Sequence, residues 1–255
     1  VSGETIRVGV AGAHGRLGRV ACAAIAATGG LALVAGLVRS LPASGDGGDL
    51  AAAAGIGGAP PLFDDLGAFY AAGMDVVVDC TVYPVSLDVA REAVDAGVAP
   101  VVGATGWTDE DVVSFTDRCD EAEIGALLVP NFSIGAALMM RFAAEAVAFL
   151  PRVEIVELHH DAKRDMPSGT AKLTAARIAA AGGPTDVAIH SVRLPGLVAH
   201  QETIFGGTGE TLTLRHDSTG RDAYAAGIVL AVRSVRAQRG LVNGLDTLLF
   251  ARRTA

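Results

Sequence analysis

The sequence predicts an α/β protein in which a doubly wound parallel sheet is followed by a second, smaller α+β domain with a mixed sheet. Three observations predict it. Short apolar runs alternate with helical periodicity through the first half, a glycine-rich turn joins the first run to the first helix, and the rhythm changes after Asn131 to strands separated by glycine turns. Strict strand and helix alternation implies parallel pairing, because parallel neighbours can be joined only by a crossover.

Ile6 to Ala11 reads as the first strand and Arg19 to Ala27 as the helix behind it. Leu31 to Val38 is the second strand, and the Ala/Gly-rich stretch from Leu50 to Pro61 is expected to be a surface loop. Met74 to Cys80, Pro100 to Gly103 and Ala126 to Pro130 are further strands, with helices at Leu87 to Ala96 and Asp109 to Ala122 between them. A long apolar helix from Ile134 to about Leu150 then leads into Val153 to His159, which alternates as a strand. A helix opens near Ser168. Strands follow at His190 to Arg193, Gln201 to Phe205 and Glu210 to Asp217, with Gly206, Gly207 and Gly209 as turn residues. The last helix, Ala223 to Arg236, shows an apolar face at Ile228, Leu230, Ala231 and Val235 and is expected to pack back on the first domain.

The 255 residues suffice for two domains, each with its own core. The boundaries read from the pattern are residues 1–130, completed by 222–255, and residues 131–221. With 51% of residues apolar and 19% charged, the chain lies far from the composition of disordered proteins. The net charge of -8 argues against a nucleic-acid partner, which needs a basic face. No apolar run approaches the ~18 residues of a membrane span, and Val1 to Arg7 lack the zones of a signal peptide. A cytoplasmic protein is expected. Cys22, Cys80 and Cys119 are odd in number and widely spaced, so they read as reduced thiols rather than a disulfide framework or zinc site.

The turn after the first strand is Gly12, Ala13, His14, Gly15, Arg16, Leu17, Gly18. Glycines here allow a sharp turn and let a pyrophosphate approach the N–H groups at a helix N-terminus. The GxxGxxG form is a weak signal by itself, and a tight turn without ligand would look alike; the strand before and helix after favour a dinucleotide. About 20 residues on, where an NAD site shows Asp or Glu, this chain has Val38 and then Arg39. Without a carboxylate to repel a 2′-phosphate, and with Arg39 to pair with it, aided by Arg16 and His14, NADPH is the preferred cofactor and NADH a possible one. The plain alternative is that Arg39 is a solvated loop residue. Two later strand ends, at Asp79-Cys80-Thr81 and Gly103-Ala104-Thr105-Gly106, lie where ligands bind in open α/β sheets and are expected to wall the nicotinamide.

The densest group of reactive side chains is Glu157, His159, His160, Asp161, Lys163, Arg164 and Asp165, followed by Pro167, Ser168, Gly169 and Thr170. A helix opening on PSGT offers hydroxyls and N–H groups to an anion, which a carboxylate fits. Lys163 adds an ammonium, and the imidazoles titrate near neutrality. Each part has an ordinary alternative: PSGT as a mere cap, Lys163 as surface charge, the His pair as metal ligands. The last is disfavoured, since neighbours on a strand point to opposite faces and no third ligand is evident. Co-occurrence within a dozen residues favours a functional site.

ELHHDAKRDMPSGTA, Glu157 to Ala171, resembles the signature of the 4-hydroxy-tetrahydrodipicolinate (dihydrodipicolinate) reductases of the diaminopimelate route to lysine. The likeness extends to VAGAHGRLGR, VVGATGW, VPNFSIGA and VRLPGLVAHQETIFGGTGETLTLRHDS, the last most like the actinobacterial branch. The resemblance implies a Rossmann-type dinucleotide domain, a substrate and oligomerisation domain that builds a homotetramer, and hinge closure over a cyclic dicarboxylate. It implies His159 as acid/base group and Lys163 as proton donor and carboxylate partner. His160, Ser168, Gly169, Thr170 and Thr105 would grip the dicarboxylate and Arg221 would close on it. Gly12, His14, Gly15, Arg16, Leu17, Gly18, Arg39, Cys80, Thr81, Gly103, Thr105, Asn131 and Phe132 would hold the cofactor, with no metal. The chain departs from the family pattern at Cys80, Val82, Tyr83, Ala104, Trp107, Ala162 and Met166, around the nicotinamide wall and the mouth of the substrate loop. A paralogous reductase of a related cyclic imine and a non-catalytic NADPH-binding sensor are the rival readings.

Overall fold

The computed structural model describes residues 4–41, 48–58 and 60–250. By internal contacts the chain divides into two compact units, Val1–Phe132 with Tyr224–Ala255, and Ser133–Ala223.

The first unit is built on β1 (Ile6–Ala11), β2 (Leu31–Leu37), β3 (Leu62–Phe63), β4 (Val76–Asp79), β5 (Ala99–Val102), β6 (Ala126–Leu128) and β11 (Leu241–Asn243). These form one sheet in the order β11-β6-β5-β4-β1-β2-β3, with every neighbouring pair parallel. The central strands are buried on both faces, as at Val76–Asp79, because helices cover both sides. Strand order reverses between β1 and β4, which makes the crevice beyond their carboxyl ends the expected ligand site.

The helices of this unit are α1 (Arg16–Ala26), α2 (Gly48–Ala54), α3 (Leu66–Ala71), α4 (Val85–Asp95), α5 (Asp109–Glu121), α8 (Ala225–Val235) and α9 (Leu245–Phe250). α5 starts where Thr108 and Asp111 cap each other's backbone N–H, at 3.1 and 3.0 Å. The stretch expected as a loop from Leu50 is corrected in its first part: Leu50 to Ala54 are helical, and Leu50 is wholly buried. α8 packs on α1 and on the sheet of this unit. Its buried face is Gly227, Ile228, Ala231, Val232 and Val235, so Val232 takes the place expected of Leu230, which is only partly covered.

The second unit holds α6 (Ile134–Ala146), β7 (Arg152–His159), α7 (Gly169–Ala180), β8 (Ala188–Arg193), β9 (Ala199–Gly207) and β10 (Glu210–Ser218). The helix expected to run to Leu150 ends at Ala146. The sheet order is β10-β9-β7-β8, antiparallel except for the β7–β8 pair, hence mixed. Ala143 and Val147 pack with Ala171 and Ile178 of α7 over Val153, Ile155 and Phe205 of the sheet. No helix among the described residues is long and apolar enough to cross a membrane.

Candidate functional site

Residues singled out in the sequence fall into one group in each unit. In the first unit the loop after β1 meets the loop after β4. Gly12 has φ +73°, and a Cβ there would lie 2.9 Å from the carbonyl oxygen of Cys80. Gly18 is needed for a different reason: a Cβ on it would come within 2.1 Å of the Gly12 oxygen, so α1 could not sit so close to the strand. Gly103 at the end of β5 lies against Phe132 and the Asp79 carbonyl, 2.7 and 3.0 Å from where its Cβ would be.

These positions fit a dinucleotide. The N-terminus of α1, at Gly15, carries no side-chain cap and no acidic residue in its first turn, leaving its positive end to an anion. His14 presents a buried Nε2 with no hydrogen-bond partner in the same loop. Val38 is buried, so it cannot serve a ribose, whereas Arg39 and Arg16 are exposed. At the end of β4, Asp79 is fully buried, and one carboxylate oxygen accepts from Thr81 N–H and Oγ at 2.9 and 2.6 Å. Burial pushes its pKa up to about 6 against those two hydrogen bonds. The sole tryptophan, Trp107, donates to Ser86 Oγ at 2.8 Å and meets Phe115 edge-on. That anchors the segment running from Gly103.

In the second unit the core-facing row of β7 reads Val153, Ile155, Glu157, His159, since alternate residues share a face. Two apolar positions are thus followed by two ionisable ones. The register sets Ser191 of β8 opposite Glu157 and Arg193 opposite His159. Arg193 grips Glu157 with both terminal nitrogens at 2.7 Å, and one of them also donates to the Asp165 carbonyl at 2.8 Å. His159 Nδ1 lies 2.5 Å from Glu157 Oε2, and Ser168 N–H donates to Glu157 Oε1 at 3.2 Å. Lys163 Nζ reaches both oxygens of Asp165 at 2.7 and 2.8 Å.

Electrostatics follow from that geometry. Burial raises the Glu157 carboxyl, but hydrogen bonds from Arg193, Ser191 and His159 outweigh it and hold the pKa at about 2. Glu157 is therefore an ionised, acceptor-only group, and the hydrogen between it and His159 resides on Nδ1. Burial lowers the His159 pKa below the usual imidazole value, aided by Lys163 and Arg193 and opposed by Glu157. The hydrogen bonds from Lys163 hold Asp165 below the ordinary carboxylate range.

Residues 6–132 match the family profile "Dihydrodipicolinate reductase, N-terminus" and residues 135–249 match "Dihydrodipicolinate reductase, C-terminus". A Moorella thermoacetica protein named 4-hydroxy-tetrahydrodipicolinate reductase is 45% identical over 96% of this chain and 98% of its own length. The protein of that name from Symbiobacterium thermophilum is 41% identical over 98% and 99%. Among solved structures, a dipicolinate-bound dihydrodipicolinate reductase from Paenisporosarcina sp. TG-14 superposes with a TM-score of 0.80 at 36% identity, covering 95% of this chain and 99% of that one. The chain belongs to the dihydrodipicolinate reductase family. It is an NAD(P)H-dependent oxidoreductase of the dihydrodipicolinate reductase type.

Within this reductase the first unit carries Gly12, His14, Gly15, Arg16, Leu17, Gly18, Arg39, Cys80, Thr81, Gly103, Thr105, Asn131 and Phe132, of which Thr105 is exposed and Phe132 buried. The second carries His159, His160, Lys163, Ser168, Gly169, Thr170 and Arg221, the last exposed in a short 3-10 turn after β10. Ser168 is buried, and its hydroxyl oxygen caps α7 by accepting from Ala171 N–H at 3.2 Å. One sequence expectation is corrected here. β7 ends at His159, so His160 lies just beyond the strand and the opposite-faces argument stops short of it. For two residues the sequence alone suggests no role of their own: Glu157 is detectable as a carboxylate in a core-facing row, and Arg193 lies 36 positions away and is brought in only by strand pairing.

Proposed function

We propose that this chain reduces 4-hydroxy-tetrahydrodipicolinate to tetrahydrodipicolinate in the diaminopimelate route to lysine. NADPH is the preferred donor. The protein is cytoplasmic and a homotetramer. Residues 1–130 with 222–255 serve as the dinucleotide domain, and residues 131–221 hold the cyclic dicarboxylate and build the oligomer. The observation that carries this reading is the cluster in the second unit: His159 held through Nδ1, Lys163 in the loop after it, and the N-terminus of α7 beyond.

Bound nicotinamide supplies the hydride. The protein's own groups do the rest. The 4-hydroxyl leaves as water to give the conjugated imine that takes the hydride; His159, with Nδ1–H committed to Glu157, presents Nε2 for proton transfer, and the Lys163 ammonium donates the proton that completes the reduction. The positive end of α7 at Gly169 and Thr170 attracts one substrate carboxylate, with room beside Gly169, where a Cβ would meet nothing within 4 Å. His160, Thr105 and Arg221 complete the grip on the dicarboxylate. Cationic groups around two carboxylates bind them and offset charge that develops during reduction.

The reading is tested by supplying enzymatically made 4-hydroxy-tetrahydrodipicolinate and following NADPH oxidation. Turnover is expected, and none in a protein that still binds NADPH overturns it. Light scattering checks the tetramer. For the cofactor, Arg39→Ala is expected to weaken NADPH binding by roughly 10- to 100-fold, the loss of one charge-assisted hydrogen bond, while NADH binding stays near its parental value. Equal losses for both cofactors would remove Arg39 from the 2′-phosphate.

A further inference from the structure

We propose that Glu157 and Arg193 are positioning residues that join the acid/base imidazole and the substrate-carboxylate seat through one buried carboxylate. The proposal rests on the reading that His159 works as the acid/base group. Its basis is that each oxygen of Glu157 has a separate task. Oε2 takes the His159 Nδ1 hydrogen, and Oε1 takes the N–H of Ser168, the residue that caps α7. Arg193 bridges both oxygens and extends to the Asp165 carbonyl, so the loop that carries Lys163 is tied to the same ion pair.

Side chains of Glu157 and Arg193 are 0% and 8% exposed. A charge pair this dry is costly to desolvate and is a poor choice for stability alone, where apolar residues of similar volume serve as well. Its value here is geometric. With the carboxylate in place only one imidazole tautomer is available, and a ring that must alternately hold and release a proton at Nε2 keeps a fixed orientation. Among the described residues, the charged groups that act on His159 are Glu157 on its own strand, Arg193 on β8 and Lys163 in the following loop, the last itself paired with Asp165. The partner of His159 on β9 is Ala199, which carries no charge. Beside Glu157 on β9, Gln201 donates to Thr174 Oγ at 2.9 Å, and Thr174 donates to the Thr170 carbonyl at 2.8 Å. A second polar link thus runs from the same part of the sheet to the first turn of α7.

The test reads the imidazole directly. Long-range proton–nitrogen NMR of the full-length 15N-labelled protein reports the tautomer and titration midpoint of each histidine, and His159→Gln assigns the signal. In the parent a single Nδ1–H tautomer is expected. In Glu157→Gln the ring is expected to sample both tautomers and its midpoint to fall by about one unit or more, the effect of losing an adjacent opposite charge. The limb of the kcat profile governed by His159 moves to lower pH by the same interval. Glu157→Asp, which keeps the charge, returns the midpoint toward the parental value. If Glu157→Gln does not fold because Arg193 is left uncompensated, the double variant Glu157→Gln with Arg193→Met removes both charges at similar volume, and the same loss of a single tautomer is expected.

An unchanged tautomer and midpoint in a folded variant, with His159→Gln inactive, overturns the proposal and leaves the acid/base assignment standing. A shifted midpoint with an unmoved pH–rate profile overturns it through its premise, because His159 is then not the acid/base group.

Discussion

Lys163→Ala is expected to lower kcat for reduction of 4-hydroxy-tetrahydrodipicolinate by about 10²- to 10⁴-fold, the usual contribution of a positioned general acid, with NADPH affinity unchanged. The loss can be ascribed to chemistry because the ion pair it breaks is worth little to the fold. Lys163 and Asp165 have side chains 21% and 58% exposed, and a pair with so much access to water contributes only about 0–1 kcal/mol. Asp165 stays solvated when its partner goes, and the loop keeps its other tie, the Asp165 carbonyl on Arg193. The residues proposed to hold the cofactor lie in the first unit and Lys163 in the second. Equilibrium titration with NADPH therefore separates the two roles: unchanged binding with lost turnover is the expected result. Turnover within about tenfold of the parent would remove Lys163 as the proton donor.

How much of this was legible in the sequence depends on whether a feature is local. Val76–Asp79 and Ala99–Val102 announce themselves as apolar runs because both faces are buried, and Thr108 with Asp111 marks a helix start within four residues. β3, with two residues, is too short to show a period; it is a strand because Leu62 and Phe63 pair with Gly36 and Leu37. α2 is helical although its sequence is mostly small residues, because Leu50 is buried and the helix packs on α1. The sequence does carry a cue to α3: Asp65 caps it, and Leu66, Phe69 and Tyr70 follow at helical spacing.

The candidate site divides in the same way. His159, Lys163 and the PSGT turn sit within a dozen residues and could be read together. The parts that orient them could not, because Arg193 reaches Glu157 through the parallel register of β7 and β8. Ser168 shows what a motif leaves open: its hydroxyl oxygen caps the helix by accepting from Ala171 N–H, as a serine at a helix start commonly does.

Arg193→Met is expected to destabilise the protein by about 3–5 kcal/mol near neutral pH, the cost of leaving one charge of a buried pair unpaired. The sign of its pH dependence identifies the charge responsible. In the parent, the Glu157 pKa of about 2 lies below its ordinary 4.5. The unfolded chain binds the proton more readily, so this group's stabilisation is fully present above about 4.5 and is lost as pH falls toward about 2. Burial is the largest influence on this carboxyl, and it raises the pKa; Arg193 is the first of the groups opposing it. Without Arg193 the folded-state pKa rises, and once it exceeds the unfolded value the linkage reverses: the folded protein binds the proton more readily, and stability falls as pH rises through that interval. The gap between variant and parent is therefore widest near neutrality and narrows on acidification toward about 4.5. Urea midpoints at about pH 7 and about pH 5 read this directly. A gap that stays constant or widens at the lower pH would mean that the loss comes from packing of the Arg193 side chain rather than from the stranded carboxylate.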